Sequence, residues 1–125
     1  MSYKALIIDD SPMMRTMVER SLRATGLDLD EVFQAGDGQK GLDTLNDQKV
    51  DLVLCDIIMP NMNGLQFVKS TCDMVDRPLI VLVTTEGADS FAVTRALAAG
   101  ANGHLQKPFK VDEFEEKIRP LLEAA

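Results

Sequence analysis

The chain has 125 residues, with 20 acidic and 13 basic side chains, which gives a formal net charge of −7 at pH 7. This length predicts a single domain over residues 1–125, with a substantial core and no room for a separate output module. The acidic balance argues against nucleic-acid binding, because phosphate neutralisation needs clustered lysine and arginine. No apolar run approaches the ~20 residues that cross a bilayer, and no secretory signal begins the chain, so we expect a cytoplasmic protein without membrane contact. The two cysteines are too few and too irregular for a disulfide framework or a zinc site.

Short apolar segments alternate with helical segments along the chain. Three of the apolar segments are apolar at every position, which is typical of strands buried on both faces of a parallel sheet. The predicted strands cover Ala5–Ile8, Glu31–Ala35, Leu52–Cys55, Leu79–Val83 and Gly103–Gln106. The predicted helices run from the Ser11–Pro12 cap towards Gly26, and over Gly38–Gln48, Gly64–Cys72, Asp89–Ala99 and Val111–Leu122. This alternation predicts an α/β fold with a five-stranded parallel sheet and five helices on both faces, and the flavodoxin-like strand order 2-1-3-4-5 is taken by analogy.

Acidic side chains follow two of the predicted strands. Asp9 and Asp10 come after the first strand, and Asp56 comes after the third. In the predicted strand order these two strands are neighbours, so their carboxyl ends face the same crevice. Three converging carboxylates cannot all remain ionised cheaply without a cation, and Mg²⁺ is a hard ion that prefers carboxylate oxygens. The sequence therefore predicts a Mg²⁺ site in this crevice.

Thr84 and Lys107 follow the fourth and fifth predicted strands and complete a set suited to phosphoryl chemistry. The Lys107 ammonium group can pair with a carboxylate or with a phosphoryl oxygen, and Thr84 offers a hydroxyl donor. Carboxylates form acyl-phosphates as covalent intermediates, and phosphoryl transfer depends mainly on positioning and electrostatics. The set thus predicts a carboxylate that attacks a phosphoryl group while a metal ion, Lys107 and Thr84 offset the charge.

These residues resemble the receiver domains of two-component response regulators, and the resemblance covers essentially the whole chain. Any one of its motifs is weak alone, but their order at successive strand ends is highly specific. The motifs are Asp9–Asp10, Asp56 followed by Met59–Pro60 and Gly64, Thr84, and Lys107–Pro108–Phe109.

The resemblance implies a phosphorylation site and a metal site. Asp56 would accept a phosphoryl group from the phosphohistidine of a histidine kinase or phosphotransfer protein. Asp10 and Asp56 would bind Mg²⁺ together with the backbone carbonyl of Ile58, and Asp9 would assist through a water molecule. The Lys107–Pro108 peptide bond would be cis.

The resemblance also implies a switch. Lys107 and Thr84 would contact the phosphoryl oxygens, and Thr84 would couple to an aromatic residue on the fifth strand, a position that His104 occupies here. Phosphorylation would then alter the face made by helix four, strand five and helix five. Ile58 and Glu86 would flank the route of the water that hydrolyses the acyl-phosphate and so tune its lifetime.

The expected function is a stand-alone switch with only self-catalysed phosphotransfer and autodephosphorylation, rather than a metabolic enzyme. Its expected partners are a histidine kinase or phosphotransfer domain and a protein output partner, with the flagellar motor as one candidate by family analogy. Met13, Met17 and Met62 are candidate docking residues because flexible thioethers adapt to a partner surface. We expect a monomer, with a phosphorylation-dependent dimer as an alternative. A phosphorelay intermediate or a phosphate sink is the alternative function.

A dinucleotide-binding domain is a more remote alternative. Gly36, Gly38 and Gly41 match G-x-G-x-x-G after a predicted strand, and Asp56 falls about twenty residues onward. The motif follows the second strand rather than the first, however, and the chain is too short for both halves of such a fold.

A small aspartyl phosphatase is a second remote alternative. Such enzymes carry two acids separated by one residue after the first strand, whereas Asp9 and Asp10 are adjacent here. The chain also lacks a cap insertion that would enclose a substrate.

Overall fold

The computed structural model describes residues 2–59, 62–85 and 90–124. Five strands form one parallel sheet in the order β2-β1-β3-β4-β5, as predicted. The strands are β1 Tyr3–Ile8, β2 Leu29–Ala35, β3 Leu52–Cys55, β4 Leu79–Thr84 and β5 Gly103–Gln106. The helices are α1 Pro12–Ala24, α2 Gly38–Asp47, α3 Gly64–Thr71, α4 Phe91–Ala98, α5 Val111–Lys117 and α6 Arg119–Ala124.

The helix boundaries follow local sequence signals. The Ser11 hydroxyl oxygen accepts a hydrogen bond from the Met14 N–H at 3.3 Å, and Pro12 occupies the first turn of α1. Asn63 and Gln66 form a reciprocal capping box at the start of α3. These caps fix where α1 and α3 leave the sheet edge, and both loops carry acidic residues of the predicted site.

The last predicted helix is interrupted, which corrects the expectation of one helix over Val111–Leu122. The α5 helix ends at Lys117, and α6 begins at Arg119. Pro120 explains the break, because a proline within a helix lacks the N–H that would bond to the carbonyl four residues earlier. Among the described residues, no helix is both long and apolar enough to cross a membrane.

Two apolar cores lie on opposite faces of the sheet. Successive strand residues point to opposite faces, and because helices cover both faces, all of β3, the last four residues of β1 and the last five of β4 are buried. One core joins the sheet to α1, α5 and α6 through Val18, Leu22, Phe114, Ile118 and Leu122. The other joins it to α2, α3 and α4 through Leu45, Phe67, Val68, Val93 and Ala96. This two-sided burial explains the continuous apolar runs in the sequence.

Backbone pairing brings the carboxyl ends of the strands to one edge. Ile8 pairs with Cys55, and the Asp56 N–H donates to the Ile8 carbonyl at 2.9 Å, so β1 and β3 end at the same level. The Lys107 N–H donates to the Thr84 carbonyl at 2.8 Å, which aligns the ends of β4 and β5. The sheet therefore places the predicted site residues along one edge.

The glycine motif that begins at Gly36 has a packing role. A Cβ on Gly38 would lie 2.8 Å from the Met62 side chain, and a Cβ on Gly41 would collide with Ile8 on β1. Contacts this short exclude larger side chains unless the neighbours shift. The glycines thus allow α2 to approach the sheet and the α3 loop closely, which accounts for the motif without a nucleotide.

Candidate functional site

Three carboxylates meet at the carboxyl ends of β1 and β3, as predicted from the strand order. Asp9, Asp10 and Asp56 each offer an oxygen, and these oxygens lie within 4.8 Å of one another. We call this group the acidic pocket. Asp9 is buried at its base, Asp56 is partly buried, and Asp10 is exposed at its mouth. The pocket is therefore most accessible to solvent at Asp10 and less accessible at Asp56.

Lys107 crosses the acidic pocket from the end of β5. Its Nζ lies 2.7 Å from Asp9 Oδ2 and 3.3 Å from Asp56 Oδ2, and its side chain is 7% exposed. The Lys107–Pro108 peptide bond is cis, as expected. Burial lowers the pKa of Lys107, but the hydrogen bond to Asp9 and the charge of Asp56 outweigh it, so the pKa is raised. Lys107 therefore supplies a fixed positive charge between the two buried carboxylates.

Asp9 is anchored through all four of its polar atoms. Its N–H donates to the Ala35 carbonyl at 3.1 Å, which continues the β1–β2 pairing. Its Oδ1 accepts from the Ser11 N–H at 2.9 Å, and its Oδ2 accepts from Lys107. Its carbonyl accepts from Arg15 Nη1 at 2.6 Å. These bonds fix both the side chain and the backbone at the point where β1 turns into α1.

Asp56 is oriented by two hydrogen bonds and is electrostatically poised. Its Oδ1 accepts from the Ile57 N–H at 2.8 Å and its Oδ2 accepts from Lys107 Nζ. Burial raises the pKa of Asp56; Lys107 opposes this effect and the charge of Asp9 adds to it. The ionised carboxylate is thus less stable here than in water. Binding of a cation, or bonding of the carboxylate to an electrophile, would relieve this destabilisation.

Cys55 is a buried small apolar residue, as its position in an apolar run predicts. Burial raises the pKa of its thiol, and the negative charges of Asp56 and Asp9 raise it further. The neutral thiol donates a hydrogen bond to the Asp56 carbonyl at 3.1 Å. It therefore supports the backbone of the site without reacting.

The remaining predicted site residues lie at or near the same edge. Thr84 is 1% exposed at the end of β4, and His104 is 8% exposed on β5, where it pairs with a residue of β4. Ile58 is 66% exposed in the loop after Asp56. Glu86 and Pro60 of the sequence motifs lie outside the described residues.

Three exposed apolar side chains, on α1 and in the loop after Asp56, are called the apolar rim here. Met13, Met17 and Ile58 are 73%, 44% and 66% exposed. A small apolar cleft of about 130 Å³ lies between α1 and the loop after β5, and Met17, Lys107 and Phe109 form part of its wall. Met62, the third predicted docking methionine, is partly buried and packs into the α2–α3 core instead.

Arg15 is a residue of the site that sequence reasoning missed. It lies on the first turn and a half of α1, and its bond to the Asp9 carbonyl crosses from the helix to the end of β1. An arginine near the start of a helix has no sequence signature that separates this contact from an ordinary surface position.

The fold and this site together define a class of signalling domain, and comparison with known sequences agrees. Residues 5–119 match the response regulator receiver domain, and the chain belongs to that family. It is 37% identical over 123 residues to a chemotaxis protein CheY homolog of Campylobacter jejuni, which covers 95% of this chain and 92% of that protein.

Two solved structures are similar along nearly their whole length. The chemotaxis response regulator CheY4 of Vibrio cholerae has a TM-score of 0.80 and 30% identity, covering 97% of this chain and 99% of that one. The receiver domain of the sensor histidine kinase PA1611 of Pseudomonas aeruginosa has a TM-score of 0.82 and 25% identity, covering 98% and 99%. The latter structure holds a magnesium ion in its active site cleft.

Proposed function

We propose that this chain is a phosphorylation-activated switch that accepts a phosphoryl group on Asp56 in a Mg²⁺-dependent reaction and then acts on a protein partner. The observation that carries this proposal is Lys107, whose ammonium group bridges Asp9 and Asp56 at the carboxyl end of the sheet. A buried carboxylate held beside a fixed cation is suited to attack a phosphoryl group and to retain it.

The proposed reaction uses the carboxylate as nucleophile. An oxygen of Asp56 bonds to the phosphorus atom of a phosphohistidine, the P–N bond breaks, and its electron pair remains on the imidazole, which is released. Lys107 Nζ, 3.3 Å from Asp56 Oδ2, pairs with an oxygen of the transferred group. Thr84, at the adjoining strand end, donates its hydroxyl to another.

The acidic pocket fits Mg²⁺ in its donor set and its spacing. Oxygens of Asp9, Asp10 and Asp56 converge within 4.8 Å, and carboxylate oxygens are the ligands that Mg²⁺ prefers. By analogy with the receiver family, Asp10 and Asp56 would be the direct ligands, with the carbonyl of Ile58, and Asp9, the most buried of the three carboxylates, would act through water. The bound ion supplies neutralisation of the negative charge that gathers when a phosphoryl group approaches.

A domain that receives a phosphoryl group and transmits a signal needs two protein partners. The phosphoryl donor is a histidine kinase or phosphotransfer domain, which docks on the apolar rim of Met13, Met17 and Ile58 beside Asp56. The output partner is a protein that reads the face formed by α4, β5 and α5, and a component of the flagellar motor is the candidate offered by the chemotaxis relatives.

The experiment that tests this function is labelling by a small phosphoryl donor. Incubation with acetyl phosphate and Mg²⁺ should add one phosphoryl group to the wild-type chain, detected by intact-mass spectrometry, and omission of Mg²⁺ should abolish the gain. Asp56→Asn should remove the labelling under every condition, because an amide oxygen is a poor nucleophile.

Asp51→Asn is the matched control. Asp51 lies just before the other end of β3, is also partly buried, and its Oδ2 accepts a hydrogen bond from the Lys4 N–H, which an amide oxygen can still do. This variant should be labelled like the wild type. Stoichiometric labelling of Asp56→Asn would contradict the proposed phosphorylation site.

A further inference from the structure

Arg15 ties three parts of the fold together beside the acidic pocket. Its Nη1 donates to the Asp9 carbonyl at 2.6 Å, and its Nε donates to Gln34 Oε1 on β2 at 3.1 Å. Gln34 in turn donates to Glu19, one helical turn further along α1, at 3.0 Å. The guanidinium group is thus held at both ends, and its planar donors aim one N–H at the strand end.

The Asp9 carbonyl is a sensitive point for the geometry of the pocket. This carbonyl belongs to the peptide that joins Asp9 to Asp10, so its orientation sets where the Asp10 side chain begins. Asp10 is exposed and has to be placed by its backbone, whereas Asp9 is buried and fixed by four bonds. A charge-assisted bond of 2.6 Å is short and directional, which suits it to hold this peptide.

We propose that Arg15 is a positioning residue that fixes the Asp9–Asp10 peptide and thereby preorganises the acidic pocket for its cation. This inference rests on the proposed function, since it assigns Arg15 to the same metal-dependent site. Groups that support the ligands of a metal from outside commonly change its affinity about 10- to 100-fold when they are removed.

A positioning role and a purely electrostatic role of Arg15 predict opposite changes in Mg²⁺ affinity when Arg15 is removed. If Arg15 acted only through its positive charge, its removal would make the pocket more negative and Mg²⁺ would bind more tightly. If Arg15 holds the peptide, its removal loosens Asp10 and Mg²⁺ binds more weakly. A role confined to fold stability would lower the melting temperature and leave Mg²⁺ affinity unchanged.

Isothermal titration of the unphosphorylated chain with Mg²⁺ separates these cases without any phosphoryl transfer. Arg15→Met should weaken Mg²⁺ binding about tenfold, and Gln34→Ala, which frees the other end of the guanidinium group, should weaken it by a smaller factor. Arg15→Lys keeps the charge but cannot donate to Asp9 and Gln34 together, so it should recover only part of the affinity. Arg20→Met is the matched control, because Arg20 also lies on α1 but is exposed and takes no part in the bonds among Arg15, Gln34 and Glu19.

A second measurement uses the protein without metal. Amide hydrogen exchange at Asp10 and Ser11 should be faster in Arg15→Met than in the wild type, while exchange in β3 stays unchanged. Tighter Mg²⁺ binding in Arg15→Met, full recovery in Arg15→Lys, or unchanged affinity in Arg15→Met would each overturn the positioning role.

The proposed function is tested apart from this inference. If acetyl phosphate labels the wild type on Asp56 but Arg15→Met binds Mg²⁺ like the wild type, only the role of Arg15 fails. If Asp56→Asn is labelled as fully as the wild type, the proposed phosphorylation site fails, and the Mg²⁺ titrations still report whether Arg15 shapes the pocket.

Discussion

At the scale of single residues, the acidic pocket holds charged groups where burial makes them destabilise the folded state. The Asp56 side chain is 14% exposed and lies near Asp9, and among the described residues Lys107 is the cation that pairs with both carboxylates. The pKa of Asp56 is raised because burial outweighs the attraction of Lys107. The site therefore keeps an ionised Asp56 at a cost to stability, which is the form that a nucleophile and a metal ligand require.

The stability of Asp56→Asn tests this balance. The raised pKa means that the folded state loses stability relative to the unfolded chain as pH rises from below the ordinary carboxylate pKa through the raised value. Asparagine carries no charge, so at neutral pH without Mg²⁺ the variant should be more stable, by about 1 kcal/mol. For a domain of this size, that corresponds to a rise of about 4 °C in melting temperature.

The pH series supplies the control for this prediction. The difference in melting temperature between Asp56→Asn and the wild type should shrink as pH falls and Asp56 becomes protonated. A wild type that is more stable than Asp56→Asn at neutral pH would show that the attraction of Lys107 dominates.

At the scale of secondary-structure elements, loops at the sheet edge carry the site, and their close packing sets its geometry. The α3 helix begins at Gly64, whose N–H donates to the Ile57 carbonyl at 2.8 Å. A Cβ at Gly64 would lie 2.6 Å from the Asp56 carbonyl oxygen and 2.7 Å from Ile57 Cα. Both neighbours are backbone atoms, so a side chain at Gly64 could be accommodated only by moving the backbone of the loop that carries Asp56.

Gly64→Ala should therefore impair both stability and phosphorylation. Forcing the loop apart should cost about 1–3 kcal/mol in the free energy of unfolding. A displacement of Asp56 of about 1 Å should slow labelling by acetyl phosphate by about 100-fold. Chemical denaturation and labelling rates at saturating Mg²⁺ measure the two effects.

Gly26→Ala separates the two effects of the Gly64 substitution. Gly26 has a φ of +77° after α1, and apart from its two chain neighbours no heavy atom of the described residues lies within 4 Å of where its Cβ would be. Alanine there should cost about 1 kcal/mol through backbone strain alone and leave the labelling rate unchanged. Equal labelling rates in Gly64→Ala and the wild type would disprove the link between loop packing and Asp56.

Much of the fold and of the candidate site could be predicted from the sequence, because both depend on patterns of neighbouring residues in the chain. Fully apolar runs identify strands buried on two faces, and acids at the ends of neighbouring strands must converge. The bond from Arg15 to the Asp9 carbonyl could not be predicted. Every residue has a backbone carbonyl, so the amino-acid type of the partner gives no signal of such a contact. The break at Ile118 was missed because the amphipathic pattern of the last helix continues past it, although Pro120 is visible in the sequence.

At the scale of the whole molecule, the proposed function requires a signal to pass from Asp56 across β4 and β5 to the α4 side of the sheet. His104 lies on this route. It is 8% exposed and pairs with Leu82, two residues before Thr84 on β4. Because strand side chains alternate, His104 points to the opposite face from Leu105, which packs in the α1–α5 core. His104 therefore faces the side that α4 covers.

This placement predicts that His104 transmits the switch. Beryllofluoride with Mg²⁺, which mimics a phosphoryl group on Asp56, should change the amide resonances of the loop after β3 and of α4 in the wild type. His104→Ala should keep the changes around Asp56 and lose most of those in α4, since a packed side chain with two arrangements is what links the two regions. Val111→Ala, on the exposed start of α5, is the control and should keep both sets. If α4 responds in His104→Ala as it does in the wild type, the signal reaches that face by another path.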